Sequence, residues 1–152
     1  MKPLTKEQAL QKLKHYCAYQ ERCHSEVRQK LYRLGVWKRE HDEILATLIE
    51  ENYLNEERFA IAYAGGKFRM NQWGVVKIKQ ALKLKQVSSY SINKALSCID
   101  KKEFRKTAEK LASKKYASLK EEQLPARKKK TMDYLVAKGY EWELARDVVE
   151  KR

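Results

Sequence analysis

The chain lacks features that would assign it to several other classes of protein. Its 152 residues include three cysteines, an odd number that does not suit paired disulfides, so reduced thiols are expected. No run approaches the roughly 18 apolar residues that a membrane span requires. The first residues, Met1 to Gln8, are polar and have no signal-peptide core. These absences predict a cytoplasmic protein that does not interact with membranes.

Patterns for catalysis and metal binding are also missing. The GGK segment at 65–67 resembles a phosphate-binding loop, but Ile61 stands where that motif has its first glycine and Phe68 replaces its Ser or Thr. Cys17 and Cys23 are spaced too widely for a usual zinc pair, and the chain has no second cysteine pair. We therefore predict that the protein is not an enzyme and holds no metal or cofactor.

Acidic residues are absent from one long stretch of a strongly basic chain. The sequence has 34 Lys and Arg against 20 Asp and Glu, a net charge of +14, which favours a polyanionic partner. No acidic residue lies between Arg58 and Ile99. A solvated face usually mixes both signs of charge, so we predict that this stretch binds a polyanion. The candidate binding residues are Lys67, Arg69, Lys77, Lys79, Lys83 and Lys85.

A pattern of apolar residues and turn positions occurs three times along the chain. Each copy is followed by a second apolar pair four residues apart, a spacing that places both side chains on one helical face. This pattern predicts an all-α fold of three tandem three-helix, helix-turn-helix-like repeats, at 1–54, 55–100 and 101–152. The three copies are Val27, Leu31, Gly35 and Val36; Ile78, Leu82, Gln86 and Val87; and Thr131, Leu135, Gly139 and Tyr140.

Helix boundaries follow from capping residues. Thr5 begins a capping box, and Ser25, Asn55 and Ser91 are predicted to cap later helices. The alternation of Val, Ile and Leu with Lys over 76–85 suits a strand, but its match to the first copy of the repeat favours a helix. We predict nine short helices in three groups of three, with a loop at about 117–125.

The basic residues of the middle repeat lie beside its apolar stripe. On a helix from 75 to 85, Ile78 and Leu82 would anchor the helix while Lys79 and Lys83 reach phosphates or an acidic protein surface. Trp73 and its neighbour Phe68 could stack on unpaired bases, although a core position is the better interpretation for both. The basic run at 128–130 fits a phosphate contact and a solvated turn equally well.

Four segments resemble a known family of regulators. Segment 53–60 (YLNEERFA) is similar to the Leu/Tyr-Leu-Asp-Asp-x-Arg-Phe-Ala block of the RecX recombination regulators. Segments 26–36 (EVRQKLYRLGV), 74–82 (GVVKIKQAL) and 138–140 (KGY) resemble other motifs of that family, in the same order. Gln86 departs from the family by replacing a glycine, which predicts a different middle turn. Gly65-Gly66 stands where relatives carry larger residues.

The resemblance implies a fold and a function. It implies three tandem three-helix units that form an elongated curved rod and lodge in the groove of a RecA–DNA filament. It further implies a monomeric protein of DNA repair and the SOS response that modulates, usually inhibits, the recombinase ATPase and strand exchange. Contact with single- and double-stranded DNA would be weak and independent of sequence.

Two alternatives share the charge evidence. The first is a free-standing helix-turn-helix-type nucleic-acid-binding protein, which would need no recombinase. The second is a helical adaptor for an acidic protein, for which nucleic acid would only compete.

Overall fold

The chain folds into short α-helices joined by tight turns. A computed structural model describes residues 4–151, so the first three residues of the polar N-terminal segment and residue 152 lie outside the described residues. Within that range there is no β-strand, which confirms the predicted all-α class. The helices are α1 (Lys6–Tyr19), α2 (His24–Arg33), α3 (Lys38–Glu50), α4 (Glu56–Asn71), α5 (Val75–Leu84), α6 (Ser89–Ser97), α7 (Lys101–Ser118), α8 (Leu124–Ala137) and α9 (Trp142–Glu150).

The helices belong to two compact units. The first unit comprises the described residues up to Tyr63 together with Leu82–Lys94, and the second comprises Ala64–Ala81 together with the described residues from Ala95 onward. The dividing positions fall inside α4, α5 and α6. The predicted repeat boundaries at 1–54, 55–100 and 101–152 stay a prediction.

Each unit has an apolar core built from the predicted stripes. In the first unit, α1, α2 and α3 bury a cluster that includes Leu13, Leu31 and Leu48. In the second unit, the corresponding cluster of α7, α8 and α9 includes Leu135 and Val149. Helices of this length are marginal in water alone, so burial of these stripes is what stabilises them.

The repeated pattern produces one turn geometry three times. Gly35, Gln86 and Gly139 all adopt the left-handed conformation, with φ of 75°, 64° and 104°. After each of them, the next residue donates its backbone N–H to the carbonyl of the repeat leucine, at 3.0, 3.1 and 3.0 Å. Gln86 therefore does not change the middle turn, contrary to expectation, because this hydrogen bond and the burial of Val87 hold the same conformation.

Two of the predicted caps are confirmed and two are wrong. Thr5 forms the predicted capping box with Gln8, and Asn55 accepts a hydrogen bond from the backbone of α4 at 2.9 Å. Ser25 lies inside α2, where its hydroxyl donates to the Lys85 carbonyl at 2.8 Å. Ser91 likewise lies inside α6, and its backbone N–H donates to the Ser88 hydroxyl. In both cases the helix begins earlier, because a preceding residue, Cys23 for α2 and Ser88 for α6, already occupies the cap position.

The third repeat contains two further corrections. The loop predicted at 117–125 is shorter, because α7 continues to Ser118 and α8 begins at Leu124. Pro125 lies in the first turn of α8, where its missing N–H costs no helical hydrogen bond. The preceding cap, Asp100, accepts a hydrogen bond from Glu103 at 3.0 Å and was not predicted.

The glycine pair Gly65-Gly66 lies within α4, which continues to Asn71. A Cβ on Gly66 would have no heavy atom within 4 Å, and one on Gly65 would meet only the guanidinium of Arg69. Neither close backbone packing nor a helix end therefore requires this pair.

Candidate nucleic-acid interface

Helix α5 presents the predicted division between anchoring and exposed side chains. Ile78 and Leu82 are fully buried, as the apolar stripe predicted. Lys79 and Lys83 are exposed and lie one helical turn apart, beside the buried stripe of the same helix. No acidic residue occurs in α5, so its exposed face is positively charged.

Trp73 brings two of the candidate lysines together in the second unit. The Nζ atom of Lys67 lies 4.9 Å from the centre of the Trp73 ring, and that of Lys77 lies 4.7 Å from it. The indole is half-buried, which makes it neither a full core residue nor an exposed one. Two ammonium groups beside one aromatic ring form a cation–π cluster, which we call the Trp73 cluster (Lys67, Trp73 and Lys77).

The backbone around the Trp73 cluster is fixed by hydrogen bonds from the turn between α8 and α9. Gly74 donates its N–H to the Lys138 carbonyl at 2.8 Å, and Val76 donates to the Gly139 carbonyl at 2.8 Å. The Tyr140 hydroxyl donates to the carbonyl of Gln72 at 3.0 Å. The Lys138 side chain also donates to the Asn71 carbonyl at 2.9 Å, so a further lysine lies beside the cluster.

The backbones at Gly74 and Gly139 meet closely, and we call this contact the glycine joint; glycine is required on both sides of it. A Cβ on Gly74 would lie 2.3 Å from the carbonyl carbon and oxygen of Gly139 and 2.4 Å from the backbone nitrogen of Tyr140. A Cβ on Gly139 would lie 2.4 Å from the Cβ of Lys77. Both distances are far shorter than packed atoms allow, so the approach of the two backbones depends on these glycines. The joint holds the Trp73 cluster in a defined position.

The aromatic neighbour of the cluster is a core residue. Phe68 is buried, and its ring centre lies 5.7 Å from that of Phe104, which in turn lies 5.0 Å from Tyr140. This confirms the core interpretation for Phe68. Burial also raises the pKa of the Tyr140 phenol to about 12, so the hydroxyl remains a hydrogen-bond donor at neutral pH.

Lys85 has a different environment from the other candidates. In the first unit its Nζ atom forms an ion pair with Glu26 at 3.2 Å and lies 5.8 Å from the Tyr63 ring centre. Burial lowers the pKa of Lys85, but the hydrogen bond and charge of Glu26 outweigh burial and leave the pKa raised. Lys85 is thus half-buried and paired, whereas Lys83 is exposed.

The structure therefore divides the six predicted residues. Lys67 and Lys77 meet at Trp73, while Lys79 and Lys83 share the exposed face of α5. Arg69 is exposed on α4, where its guanidinium lies over Gly65. Lys138 was not among the predicted residues, although the KGY segment at 138–140 marks the turn in which it lies.

Lysines of the run at 128–130 have carboxylate partners. Lys129 pairs with Asp133 at 3.0 Å, and Lys130 pairs with Glu122. These ion pairs favour the solvated interpretation of the run over a phosphate contact.

Two cysteines and one histidine of the first unit, Cys17, Cys23 and His41, are buried. Cys17 and Cys23 are buried, and burial raises the pKa of the Cys17 thiol to about 11. His41 is buried against Tyr32, and its Nε2 atom lies 3.1 Å from the Val36 carbonyl oxygen. Over residues 4–151, no three His, Cys, Asp or Glu side chains come together to hold a metal ion. In the same range, no helix is long and apolar enough to cross a membrane.

Comparison with known protein families identifies the domains. Residues 55–96 match the model of the second three-helix domain of RecX, and residues 103–149 match the model of the third. Together these matches cover more than half of the chain. The chain belongs to the RecX family. Residues 55–96 and 103–149 are therefore RecX three-helix domains.

Individual RecX proteins resemble the chain over most of its length. It is 32% identical over 126 residues to the regulatory protein RecX of Leuconostoc mesenteroides, covering 83% of this chain and 47% of that protein. It is 35% identical over 128 residues to the regulatory protein RecX of Clostridium perfringens strain 13, covering 83% of this chain and 59% of that protein. The chain thus spans about half to three-fifths of the length of these relatives.

Solved RecX structures have the same fold. The crystal structure of RecX from Lactobacillus salivarius superposes with a TM-score of 0.87 at 21% identity, over 96% of this chain and 95% of that chain. A second crystal structure of a regulatory protein RecX gives the same score and identity over 97% of this chain and 72% of that one.

Proposed function

We propose that this RecX protein binds the DNA filament of a RecA-type recombinase and inhibits its ATPase and strand exchange. The protein would act in the cytoplasm as a monomer, without catalytic activity of its own. The filament would supply protein surface for shape-specific contact and DNA phosphates for the basic residues.

The observation that carries this proposal is the Trp73 cluster within the acid-free stretch from Arg58 to Ile99. Lys67 and Lys77 lie beside an aromatic ring that a rigid glycine joint holds in place. Ammonium groups bind phosphates of any sequence, which suits weak, sequence-independent contact with single- or double-stranded DNA. Arg69, Lys79 and Lys83 extend the positive surface.

Lys85 has a smaller part in the proposed contact than the other five residues. Its ammonium group is already hydrogen-bonded to Glu26, so binding a phosphate would compete with that ion pair. We therefore assign the binding of DNA mainly to the exposed lysines of α5 and to the Trp73 cluster.

The test is co-sedimentation with recombinase filaments on single-stranded DNA, with ATP hydrolysis measured in parallel. Lys79→Glu with Lys83→Glu should weaken inhibition of the ATPase, because both exposed charges are reversed. It should also lower the slope of log affinity against log salt, by about 0.7 for each phosphate that the variant no longer neutralises.

A matched control reverses two lysines elsewhere. Lys101 and Lys102 are exposed in the first turn of α7, where glutamates also complement the helix dipole. Lys101→Glu with Lys102→Glu changes the net charge equally and should leave inhibition intact. Equal inhibition by both double variants at moderate salt would remove α5 from the binding face. Nanomolar, sequence-selective binding to bare DNA would instead favour a free-standing helix-turn-helix protein.

A further inference from the structure

An open cavity in the first unit lies where α1 meets α2. Its volume is about 440 Å³, and its walls combine cations with aromatic rings. The guanidinium carbon of Arg22 lies 3.7 Å from the centre of the Tyr16 ring, and the Nζ atom of Lys30 lies 5.5 Å from it. Arg22 also donates to the Tyr16 carbonyl at 3.0 Å, which fixes the guanidinium over the ring. The lining residues include Lys12, His15, Tyr16, Tyr19, Arg22 and Lys30.

A second open cavity lies where α7 meets α8 in the second unit. Its volume is about 600 Å³, and three lysines of α7 form one wall. The Nζ atom of Lys115 lies 5.3 Å from the centre of the Tyr134 ring on the facing helix. The lining residues include Lys110, Leu111, Lys114, Lys115, Ser118 and Tyr134.

The two cavities occupy corresponding positions in the first and third repeats. When the buried pair Ala9 and Leu13 of α1 is matched to Ala108 and Ala112 of α7, Tyr16 corresponds to Lys115. Leu31 of α2 corresponds in the same way to Leu135 of α8, so Lys30 corresponds to Tyr134. The lysine–tyrosine pair is therefore present in both cavities, with the cation and the ring exchanged between helices.

The lining of both cavities selects for a negatively charged ligand with a flat ring. Among the described residues that line them there is no carboxylate. Lysine and arginine attract phosphate, and tyrosine provides a surface on which any base can stack. Volumes of about 300 to 1,000 Å³ are typical of sites for small ligands.

We propose that each cavity binds one nucleotide of a single-stranded DNA, with its phosphate on the lysines and its base against the tyrosine side of the cavity. A duplex hides the faces of its bases in the stack, so only an unpaired strand can use both parts of the lining. The first cavity shares no lining residue with the Trp73 cluster or with α5. The second cavity is also lined by Gln72, next to Trp73, but by no residue of the cluster or of α5. Neither cavity requires a recombinase. The inference therefore goes beyond the proposed function.

The stacking part is tested with Tyr19, which is 82% exposed and can be truncated without opening the core. The probe is a fluorescent oligo(dT), compared with an abasic strand of the same length by fluorescence anisotropy. Tyr19→Ala should weaken oligo(dT) binding at least about fivefold, since stacking is worth about 1–3 kcal/mol per base. It should leave binding of the abasic strand unchanged.

Tyr90 offers the matched aromatic control, because it is 71% exposed on α6 and lies outside the lining of both cavities. Tyr90→Ala should bind oligo(dT) like the parent protein. If Tyr19→Ala binds oligo(dT) as tightly as Tyr90→Ala, or if the abasic strand binds as tightly as oligo(dT), base stacking is wrong.

The phosphate part is tested in the second cavity. Lys110→Ala with Lys114→Ala removes two exposed lysines of its wall and should reduce the salt slope for oligo(dT) by about 0.7, the value for the one phosphate assigned to this cavity. Lys101→Ala with Lys102→Ala, on the same helix but outside the lining, should leave the slope unchanged. Equal slopes for the two double variants would overturn the site.

These outcomes separate this inference from the proposed function. Loss of oligo(dT) binding with intact filament co-sedimentation would support the cavities whatever the fate of α5. Normal binding of oligo(dT) by all cavity variants would overturn the proposed binding of single-stranded DNA in the cavities and leave the filament proposal in place.

Discussion

Replacing Gly74 by alanine tests whether two backbones meet as closely as the structure shows. The added methyl carbon would lie 2.3 Å from the Gly139 carbonyl, and backbone atoms cannot rotate away as a side chain can. The turn between α8 and α9 must then retreat. Its retreat breaks the hydrogen bonds that Gly74 and Val76 donate across the joint, both 2.8 Å long.

The cost follows from these two broken bonds and from the displaced backbone. Each backbone hydrogen bond contributes about 1 kcal/mol net. Forcing a methyl group into filled space costs a further 1–3 kcal/mol or so. Gly74→Ala should therefore lower the free energy of unfolding by roughly 3–5 kcal/mol, a large fraction of the 5–15 kcal/mol or so typical of a folded domain.

Denaturant unfolding followed by circular dichroism measures this change, and amide hydrogen exchange shows where it occurs. The Val76 amide should lose its protection in Gly74→Ala. Gly66→Ala is the control within α4, because its methyl group meets no atom within 4 Å and alanine favours the helix. That control should gain up to about 1 kcal/mol of stability. Parental stability in Gly74→Ala, with Val76 still protected, would refute the close approach.

Two further changes test other parts of the fold. Gln86 has a φ of 64°, a left-handed conformation that glycine adopts more readily than glutamine. Gln86→Gly should therefore stabilise the protein by about 1 kcal/mol and raise Tm by about 2–4 °C in thermal unfolding. A lower Tm would contradict a strained turn. Glu56 accepts hydrogen bonds from the hydroxyls of Ser88 and Ser91 at 2.5 and 2.7 Å. Burial raises the pKa of the Glu56 carboxyl, but these hydrogen bonds outweigh burial, so the pKa is lowered. The contribution of ionised Glu56 to stability is thus fully present above the unfolded pKa near 4.3, and it is lost as the pH falls through the folded pKa. Glu56→Gln should cost about 1–3 kcal/mol at pH 7 and progressively less in acid, and a constant difference from pH 7 to pH 3 would contradict the assignment.

Apolar periodicity was sufficient to predict the helices and their cores. Leu31, Leu82 and Leu135 were assigned to equivalent buried positions, and all three are fully buried. Serine caps were less predictable, because Ser25 and Ser91 have the same side chain as a cap but bond elsewhere. The cap is the last residue in the extended conformation before the helix, and several polar neighbours compete for that position.

The environments of the basic residues could not be predicted from composition. Lys83 and Lys85 are two positions apart, yet one is exposed and the other forms an ion pair with Glu26, which is distant in sequence. The contact between the turns at Gly74 and Gly139 is also long-range. A single glycine in a turn indicates conformational freedom, but only the fold shows that a second backbone occupies the missing Cβ position.

All three repeats contain a cation–π pair at the end of their first helix, which a comparison by residue type does not reveal. When the buried Ala60 and Ala64 of α4 are matched to Ala9 and Leu13 of α1, Lys67 corresponds to Tyr16 and Lys115. Each of these three residues forms a cation–π pair, with Trp73, Arg22 and Tyr134 respectively. The first repeat supplies the ring from this position, while the other two supply the cation. A cation–π contact can form whichever of its two positions provides the ring, so the Tyr16–Lys30 contact of the first repeat corresponds to Lys115–Tyr134 in the third, with cation and ring exchanged. Such exchange preserves a positive, aromatic surface without preserving any one residue. For that reason, Tyr16 and Lys115 look unrelated in the sequence and equivalent in the fold.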